Sequence, residues 1–357
     1  MSKLEPDLAL LHASVSLCFA DPSRNSGVTN DDHISFSTDV NNVGHINLKV
    51  FYPDLFERLR RKFHISIGEI VAELQSGPFI CSDLAGEFDE ENCFSNRERL
   101  VITPLADDKL AIFRETFQQF AQHQLDHEDS LLPVVIAFFH VECRKLKSKS
   151  NYFIVSRSIF PRQNHDYMFF LDLKGCETRQ GDGGFLKDGD VTWEHEMSFP
   201  PSERHNVIDC LQRDTELLRN LNLTNYSLIV VITQRHVQSN MQRPGQPYGP
   251  DNDNEEDDRK KTLPLRHDVA DGAKPIRADL IPKPRFCDEH PDWEYYFGLS
   301  DVYTQFRTKA KLARAFKLAF GAHQEDISSI PPPDYADRFM EFMQSKIFPS
   351  YLDDGKK

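Results

Sequence analysis

Apolar side chains recur at helical spacing in several stretches of the chain, and each stretch predicts a helix with one buried face. Leu55, Leu59 and Phe63 recur at intervals of four residues and follow Pro53, which suits the first turn of a helix. Residues 108–127 carry the clearest pattern, with several phenylalanines on one face. The same reasoning predicts further helices over residues 8–20, 67–74, 206–220, 303–320 and 334–347.

Short and nearly continuous apolar runs predict buried strands at residues 131–141, 152–160, 168–173 and 228–232. A basic turn with Lys145, Lys147 and Lys149 joins the first two runs, so we expect a hairpin with a charged tip. Residues 77–107 mix short apolar runs with Gly, Asp, Glu and Asn, a pattern typical of strands joined by polar turns. Residues 21–43 are rich in Asn, Asp and Ser and are predicted to form a loop or a loosely packed arm.

The order of these elements predicts an α+β fold with two lobes. Changes in composition divide the chain into an N-terminal arm (1–44), an N-lobe (45–161), a C-lobe (162–348) and a tail (349–357). Within the C-lobe, residues 235–290 hold many prolines and the acidic run Asp251–Asp258. We therefore expect a long polar insertion there that is largely disordered in its first half.

The charge balance limits the classes of partner. Lys and Arg total 42 and Asp and Glu total 56, which gives a formal net charge of −14. Because phosphate backbones are bound by Lys and Arg, this balance argues against a nucleic-acid-coating protein. Any basic surface on this chain must be local.

The cysteines and apolar runs indicate a cytoplasmic protein. The seven cysteines are an odd number without a Cys-x-x-Cys pair, which favours reduced thiols over a disulfide framework or a zinc site. No run approaches the eighteen apolar residues that a membrane span needs. The apolar stretch 8–20 follows Glu5 and Asp7, so we interpret it as an amphipathic helix, with a signal peptide as the alternative.

Several segments of the chain, in one order, resemble the phosphatidylinositol phosphate kinase family. They cover about residues 45–348, and the resemblance implies a bilobal, protein-kinase-related α+β fold with Mg-ATP bound between the lobes. The most specific segment is Asp172-Leu-Lys-Gly175, which is similar to the family's Asp-Leu-Lys-Gly-Ser up to Cys176. The others are Val50–Phe63, Ser130–Pro133, Phe153–Pro161, Arg213–Asp214, Asn225–Leu228, Tyr296–Asp301 and Tyr335–Phe339.

The resemblance assigns candidate roles to three charged residues. Asp301 takes the place of the family's metal-binding Asp and is a candidate Mg²⁺ ligand, with a helix N-cap as the structural alternative. Lys174 is a candidate contact for a phosphate or a lipid head group, or else an exposed lysine at a strand end. Asp172 acts with Lys174 or pairs with a neighbouring basic group.

Two positions depart from the family pattern. Asn225 stands where the family has its catalytic-loop Asp, and an amide neither accepts a proton usefully nor binds Mg²⁺ as strongly. Thr103 stands where the family has its ATP-binding Lys. Lys109 or Arg99 would have to supply that charge from nearby. The departures predict a pseudokinase or a strongly altered active site and count against Mg-ATP as a cofactor.

A set of basic residues predicts a surface for a phosphoinositide or an anionic membrane. Each basic group near such a membrane contributes roughly 1 kcal/mol, although basic residues also commonly cover the solvated side of a helix. The residues that resemble the family's specificity loop are Arg307, Lys309, Lys311 and Arg314, and those that could extend the surface are Arg60, Arg61, Lys62 and the three lysines of the hairpin tip.

Three functional hypotheses follow. The first is a non-catalytic relative of phosphatidylinositol phosphate kinases that binds a phosphoinositide, as a peripheral membrane protein, or a protein partner. The second is an active ATP-dependent phosphoinositide or inositol kinase with a relocated lysine. The third is a different transferase that reuses the scaffold around Asp172, Lys174, Asn225 and Asp301.

Overall fold

The computed structural model describes the greater part of the chain. The described residues are 5–19, 28–30, 33–40, 44–79, 92–144, 151–160, 166–177, 179–181, 186–192, 197, 199–234, 285, 293–306 and 330–350. They belong to one compact unit, formed by Met1–Arg235 and Asp279–Lys357, and a second unit, His236–Ala278, lies outside the described residues. The predicted insertion 235–290 therefore lies outside them as well, apart from Arg285.

The first of two sheets in the described chain has seven antiparallel strands in the order β1-β2-β3-β6-β7-β5-β4. The predicted hairpin forms, because β6 pairs with β7, although its lysine tip lies outside the described residues. The strands are β1 (Val28–Asn30), β2 (His33–Val40), β3 (Gly44–Phe51), β4 (Cys93–Phe94), β5 (Leu100–Pro104), β6 (Val135–Glu142) and β7 (Tyr152–Arg157).

Strand β2 shows that the prediction of a loop over residues 21–43 was wrong for its second half. Every residue of β2 pairs with β3, from His33 opposite Phe51 to Val40 opposite Gly44. Phe36 is buried against the core, whereas Ser37 and Asp39 face solvent. Polar composition misled the sequence reasoning because the polar residues occupy the outer face of a two-faced strand.

The second sheet in the described chain has the order β11-β10-β8-β9. Its central strand β10 is buried on both faces, which explains its continuous run of Leu, Ile and Val. Leu228 and Val230 face one apolar cluster, whereas Ile229 and Val231 face another that includes Phe160, which follows β7. The strands are β8 (Asp166–Leu173), β9 (Leu186–Lys187), β10 (Ser227–Gln234) and β11 (Trp293–Ser300).

Six α-helices of the described chain pack around these sheets. The predicted long helix is confirmed as α4, which buries Phe113 and Phe117 against Phe56 of α2 and Phe138 of β6. None of the described helices is both long and apolar enough to cross a bilayer. The helices are α1 (Glu5–Cys18), α2 (Pro53–Lys62), α3 (Ile67–Gln75), α4 (Asp107–Asp126), α5 (Pro201–Asn220) and α6 (Pro332–Phe342), which continues as a π-turn over Met343–Ile347.

The prediction of a helix that begins at residue 303 was wrong over its first four residues. Gln305 forms a bridge with Leu223, and the Thr304 carbonyl accepts the Thr224 N–H at 2.9 Å. The backbone groups of this segment therefore pair with the loop before β10 instead of within a helix. The rest of the predicted helix, residues 307–320, lies outside the described residues.

Gly298 of β11 lies in close contact with the segment that follows β7. A Cβ at this position of β11 would lie 2.3 Å from Cγ2 of Ile159, which follows β7. We predict that Gly298→Ala lowers the free energy of unfolding by about 2 kcal/mol, because Ile159 must shift in a packed core. Gly68→Ala is the control, because Gly68 lies at an exposed position of α3 and its Cβ would lie 3.9 Å from the nearest atom. No loss of stability is expected for this variant. Equal urea midpoints for the two variants would contradict the prediction.

Candidate functional site

An ion pair joins the ends of two strands of the second sheet. Lys174 follows β8 and Asp301 follows β11, and Lys174 Nζ lies 3.0 Å from Asp301 Oδ2. The Lys174 side chain is 11% exposed and that of Asp301 38%. The structure thus brings two of the predicted site residues into direct contact, although 127 positions separate them in the sequence.

Asn225 lies two residues before β10, near the strand end that carries Asp301, and both residues have a left-handed backbone conformation. Its φ is 64°, that of Asp301 is 58°, and Asn and Asp are the side chains that best tolerate this conformation. Ser227, at the start of β10, pairs with Ser300, the residue before Asp301. Since residues 303–306 are not helical, Asp301 does not cap a helix there, and that alternative is wrong.

The turn that carries Lys174 is held by a buried carboxylate. Asp188 lies in a 3₁₀ turn after β9, and its Oδ1 accepts the backbone N–H groups of Lys174 at 2.8 Å and Gly175 at 2.6 Å. Burial raises the pKa of Asp188, although Arg179 and the backbone N–H groups act in the opposite direction. Asp188 is therefore part of the site's framework.

Asp172 is engaged by Arg179, so the structure supports pairing with a neighbouring basic group. Arg179 Nη2 lies 2.5 Å from Asp172 Oδ2, and its Nη1 lies 2.8 Å from Asp188 Oδ2. Burial alone would lower the pKa of Arg179, but the two carboxylates outweigh it and raise the pKa. Within the described chain, Asp172 makes no ion pair with Lys174.

Thr103, Lys109 and Asp301 line one cleft of about 150 Å³ between the first sheet and the end of β11. Thr103 lies on β5 opposite Ile154 of β7, and Lys109 lies in the first turn of α4. Most of the wall is apolar, which suits a flat, weakly polar group. The apolar lining residues are Phe94, Val101, Leu105, Pro133, Ile154, Ile159, Phe160, Leu299 and Val302.

A second cationic side chain, that of Arg157, also lines this cleft, but its guanidinium group packs on an aromatic ring. The guanidinium of Arg157 lies over the ring of Phe63, 5.4 Å from its centre. Burial lowers the pKa of Arg157 to about 10. Lys109 is therefore the lysine that the structure places on the cleft wall beside Thr103.

The residues of the site do not fit a magnesium–triphosphate complex well. Asp301 is already paired with an ammonium group, and Asn225 brings no second negative charge. In the described ranges, no three side chains of His, Cys, Asp or Glu converge in an arrangement that could hold a metal. Asp301 as a metal ligand remains a prediction.

The predicted basic surface loses one of its members. Arg60 donates from Nη1 to the Ile136 carbonyl at 2.9 Å and lies 5.6 Å from the centre of the Phe19 ring. Burial lowers its pKa. Arg60 is therefore half-buried and engaged within the protein, whereas Arg61 is exposed and pairs with Glu57. Lys145, Lys147, Lys149, Arg307, Lys309, Lys311 and Arg314 lie outside the described residues.

Sequence reasoning missed Asp188 and Arg179 as site residues. It also did not predict that Asp214 accepts several hydrogen bonds inside the protein. Asp214 of α5 is buried and accepts hydrogen bonds from His123 at 2.7 Å, Ser130 at 3.0 Å and the Leu131 N–H at 2.6 Å. Leu131 in turn accepts the N–H of a residue in β11. The Arg213–Asp214 pair carried part of the family resemblance, but the two hydrophilic segments with Asp188 and Arg179 carried no signal.

Comparisons with known proteins agree with one another. The family described as Phosphatidylinositol-4-phosphate 5-Kinase matches residues 85–346. A probable phosphatidylinositol phosphate kinase of Dictyostelium discoideum is 24% identical over 87% of this chain and 49% of its own length. Phosphatidylinositol 5-phosphate 4-kinase type-2 gamma of Danio rerio is 25% identical over 96% of this chain and 86% of its own length. The chain thus spans about half the length of the first relative and most of the second.

Proposed function

Because the chain belongs to the phosphatidylinositol phosphate kinase family, we propose that it binds a phosphoinositide on this scaffold without transferring phosphate at an ordinary kinase rate. The contact of 3.0 Å between Lys174 Nζ and Asp301 Oδ2 carries the proposal. The pair engages one oxygen of the carboxylate that a divalent cation would need. A cation that binds Asp301 must share this carboxylate with an ammonium group that is already in place.

The two departures from the family pattern, like this ion pair, weaken the capacity of the site to transfer phosphate. Thr103 contributes no positive charge to the cleft wall, and Asn225 contributes no negative charge beside Asp301. Phosphoryl transfer relies on charge neutralisation and positioning, with little covalent chemistry for the protein to perform. Loss of one member of such a cooperating set costs orders of magnitude in rate.

Phosphoinositide binding is supported by the family and by the relatives, which are described as kinases of phosphatidylinositol phosphates. The residues proposed to bind are Arg307, Lys309, Lys311 and Arg314, by their resemblance to the family's specificity loop. A protein partner is the alternative if lipid does not bind.

Liposome flotation tests this proposal. We predict that the protein floats with vesicles that contain a phosphatidylinositol phosphate more than with phosphatidylserine vesicles of equal charge density. The Lys309→Ala/Lys311→Ala double variant should bind less, since each basic group near the membrane contributes roughly 1 kcal/mol. Lys49→Ala is the control, because Lys49 is exposed on β3. Absence of wild-type protein from every floating fraction would reject phosphoinositide binding and favour a protein partner.

A second candidate function is an active kinase in which Lys109 replaces the missing lysine. The observation in its favour is that Lys109 and Thr103 line the same cleft as Asp301. In this arrangement Lys109 would hold nucleotide phosphate from the first turn of α4 instead of from β5.

Thermal denaturation with Mg-ATP separates the two functions. We predict no rise in the melting temperature of the wild type at millimolar Mg-ATP, because Asp301 is paired and Thr103 is neutral. A rise of several degrees that disappears in Lys109→Met, but persists in the surface control Lys49→Met, would instead establish the relocated lysine.

A further inference from the structure

The Lys174–Asp301 ion pair depends on where the backbone of Lys174 is held. A lysine side chain is long and flexible, and holding it in one geometry costs conformational entropy. The pair therefore forms most readily if the turn that carries Lys174 is itself fixed. Three groups around that turn are available to fix it.

The first of these groups is the carboxylate of Asp188. The residue is only 3% exposed, and its Oδ1 accepts two consecutive backbone N–H groups, at 2.8 Å from Lys174 and 2.6 Å from Gly175. Hydrogen bonds to a charged acceptor are stronger than those between neutral groups, and a buried charge without them would be costly. Asp188 thus fixes the direction in which the chain leaves β8.

The second group is the guanidinium of Arg179, which holds Asp188 in place. Its Nη1 donates to Asp188 Oδ2 at 2.8 Å and to the Asp172 carbonyl at 3.2 Å, and its Nη2 lies 2.5 Å from Asp172 Oδ2. Arg179 therefore links Asp188 to the C-terminal end of β8. The planar fork of an arginine matches this bridging role, which a lysine would not reproduce.

The third group is the backbone of α6, which closes on the other side of the turn. Gly175 has φ +70°, and a Cβ there would lie 3.0 Å from Cα of Phe339 and 3.2 Å from the Arg338 carbonyl oxygen. The turn after Lys174 is thus confined between Asp188 and α6, with room only for glycine.

We propose that Asp188 is a positioning residue, which holds the Lys174 turn so that the ammonium group meets Asp301. Arg179 orients Asp188 for this task. The inference deepens the proposed function, since it names what keeps the carboxylate of Asp301 occupied, but it concerns only the ion pair. It stands whether or not the protein binds a nucleotide or a phosphoinositide.

Chemical labelling of lysine tests the proposal in the full-length protein. An amine-acetylating reagent is added under native conditions, and mass spectrometry measures acetylation of Lys174 relative to the exposed Lys49. We expect slow labelling of Lys174 in the wild type. Asp188→Ala should raise its labelling about fivefold, as Asp301→Ala should, because the ion pair is lost in both variants. Asp188→Asn should have a smaller effect, since it keeps an acceptor oxygen for the two N–H groups.

The matched control is Glu73→Ala, which also removes a buried carboxylate that is bound to a hydroxyl and a backbone N–H. Glu73 accepts from Ser95 Oγ at 2.6 Å and from the Arg97 N–H at 3.0 Å, in the part of the chain that holds the first sheet. This variant should lose stability without a change at Lys174. Unchanged Lys174 labelling in folded Asp188→Ala would overturn the proposal, as would an equal increase in Glu73→Ala. If Asp188→Ala does not fold, Arg179→Ala takes its place, because it removes the group that orients Asp188. Unchanged Lys174 labelling in folded Arg179→Ala is then the overturning result.

Discussion

The arrangement of the site depends on one ion pair, between Lys174 and Asp301 at the ends of two strands of the same sheet. The pair is partly exposed, so its contribution to stability is modest, about 1 kcal/mol or less. Its consequence for chemistry is larger. Asp301, which the family resemblance suggests as a metal ligand, is paired within the protein with the lysine of the most specific family segment.

The rest of the fold brings these two side chains together. β10 lies between β8 and β11, so their ends meet at one edge of the sheet. Gly298 allows β11 to approach the segment after β7, which brings the cleft wall with Thr103 and Lys109 close to Asp301. The α+β kinase-like scaffold is thus retained, and we propose that the charges that would act on a phosphate are replaced or paired.

Much of the fold follows from hydrophobic pattern. The long helix α4 and the strand β10 could be predicted because their apolar residues repeat strongly. β2 could not, because its outward residues are polar and its burial depends on pairing with β3. The extended segment after Asp301 could not either, since it is set by hydrogen bonds to the loop before β10.

The candidate site, like the fold, could be predicted only in part. Asp172, Lys174, Asn225 and Asp301 were found through short motifs, but the contact between Lys174 and Asp301 depends on strand pairing over a long sequence separation. Asp188 lies in a polar segment without a motif. Only its burial and its hydrogen bond to the backbone of Lys174 show that it belongs to the site. Tertiary structure decides which charged residues pair, and no local sequence motif marks those partners.

The most direct test of the account is the transfer of radiolabelled phosphate from ATP to a soluble short-chain phosphatidylinositol phosphate, measured with the purified full-length chain and Mg²⁺. We predict a rate that is orders of magnitude below the 1–100 s⁻¹ that is roughly typical of kinases. Turnover within that range would contradict the central claim that the phosphate-handling charges of this cleft are replaced or paired.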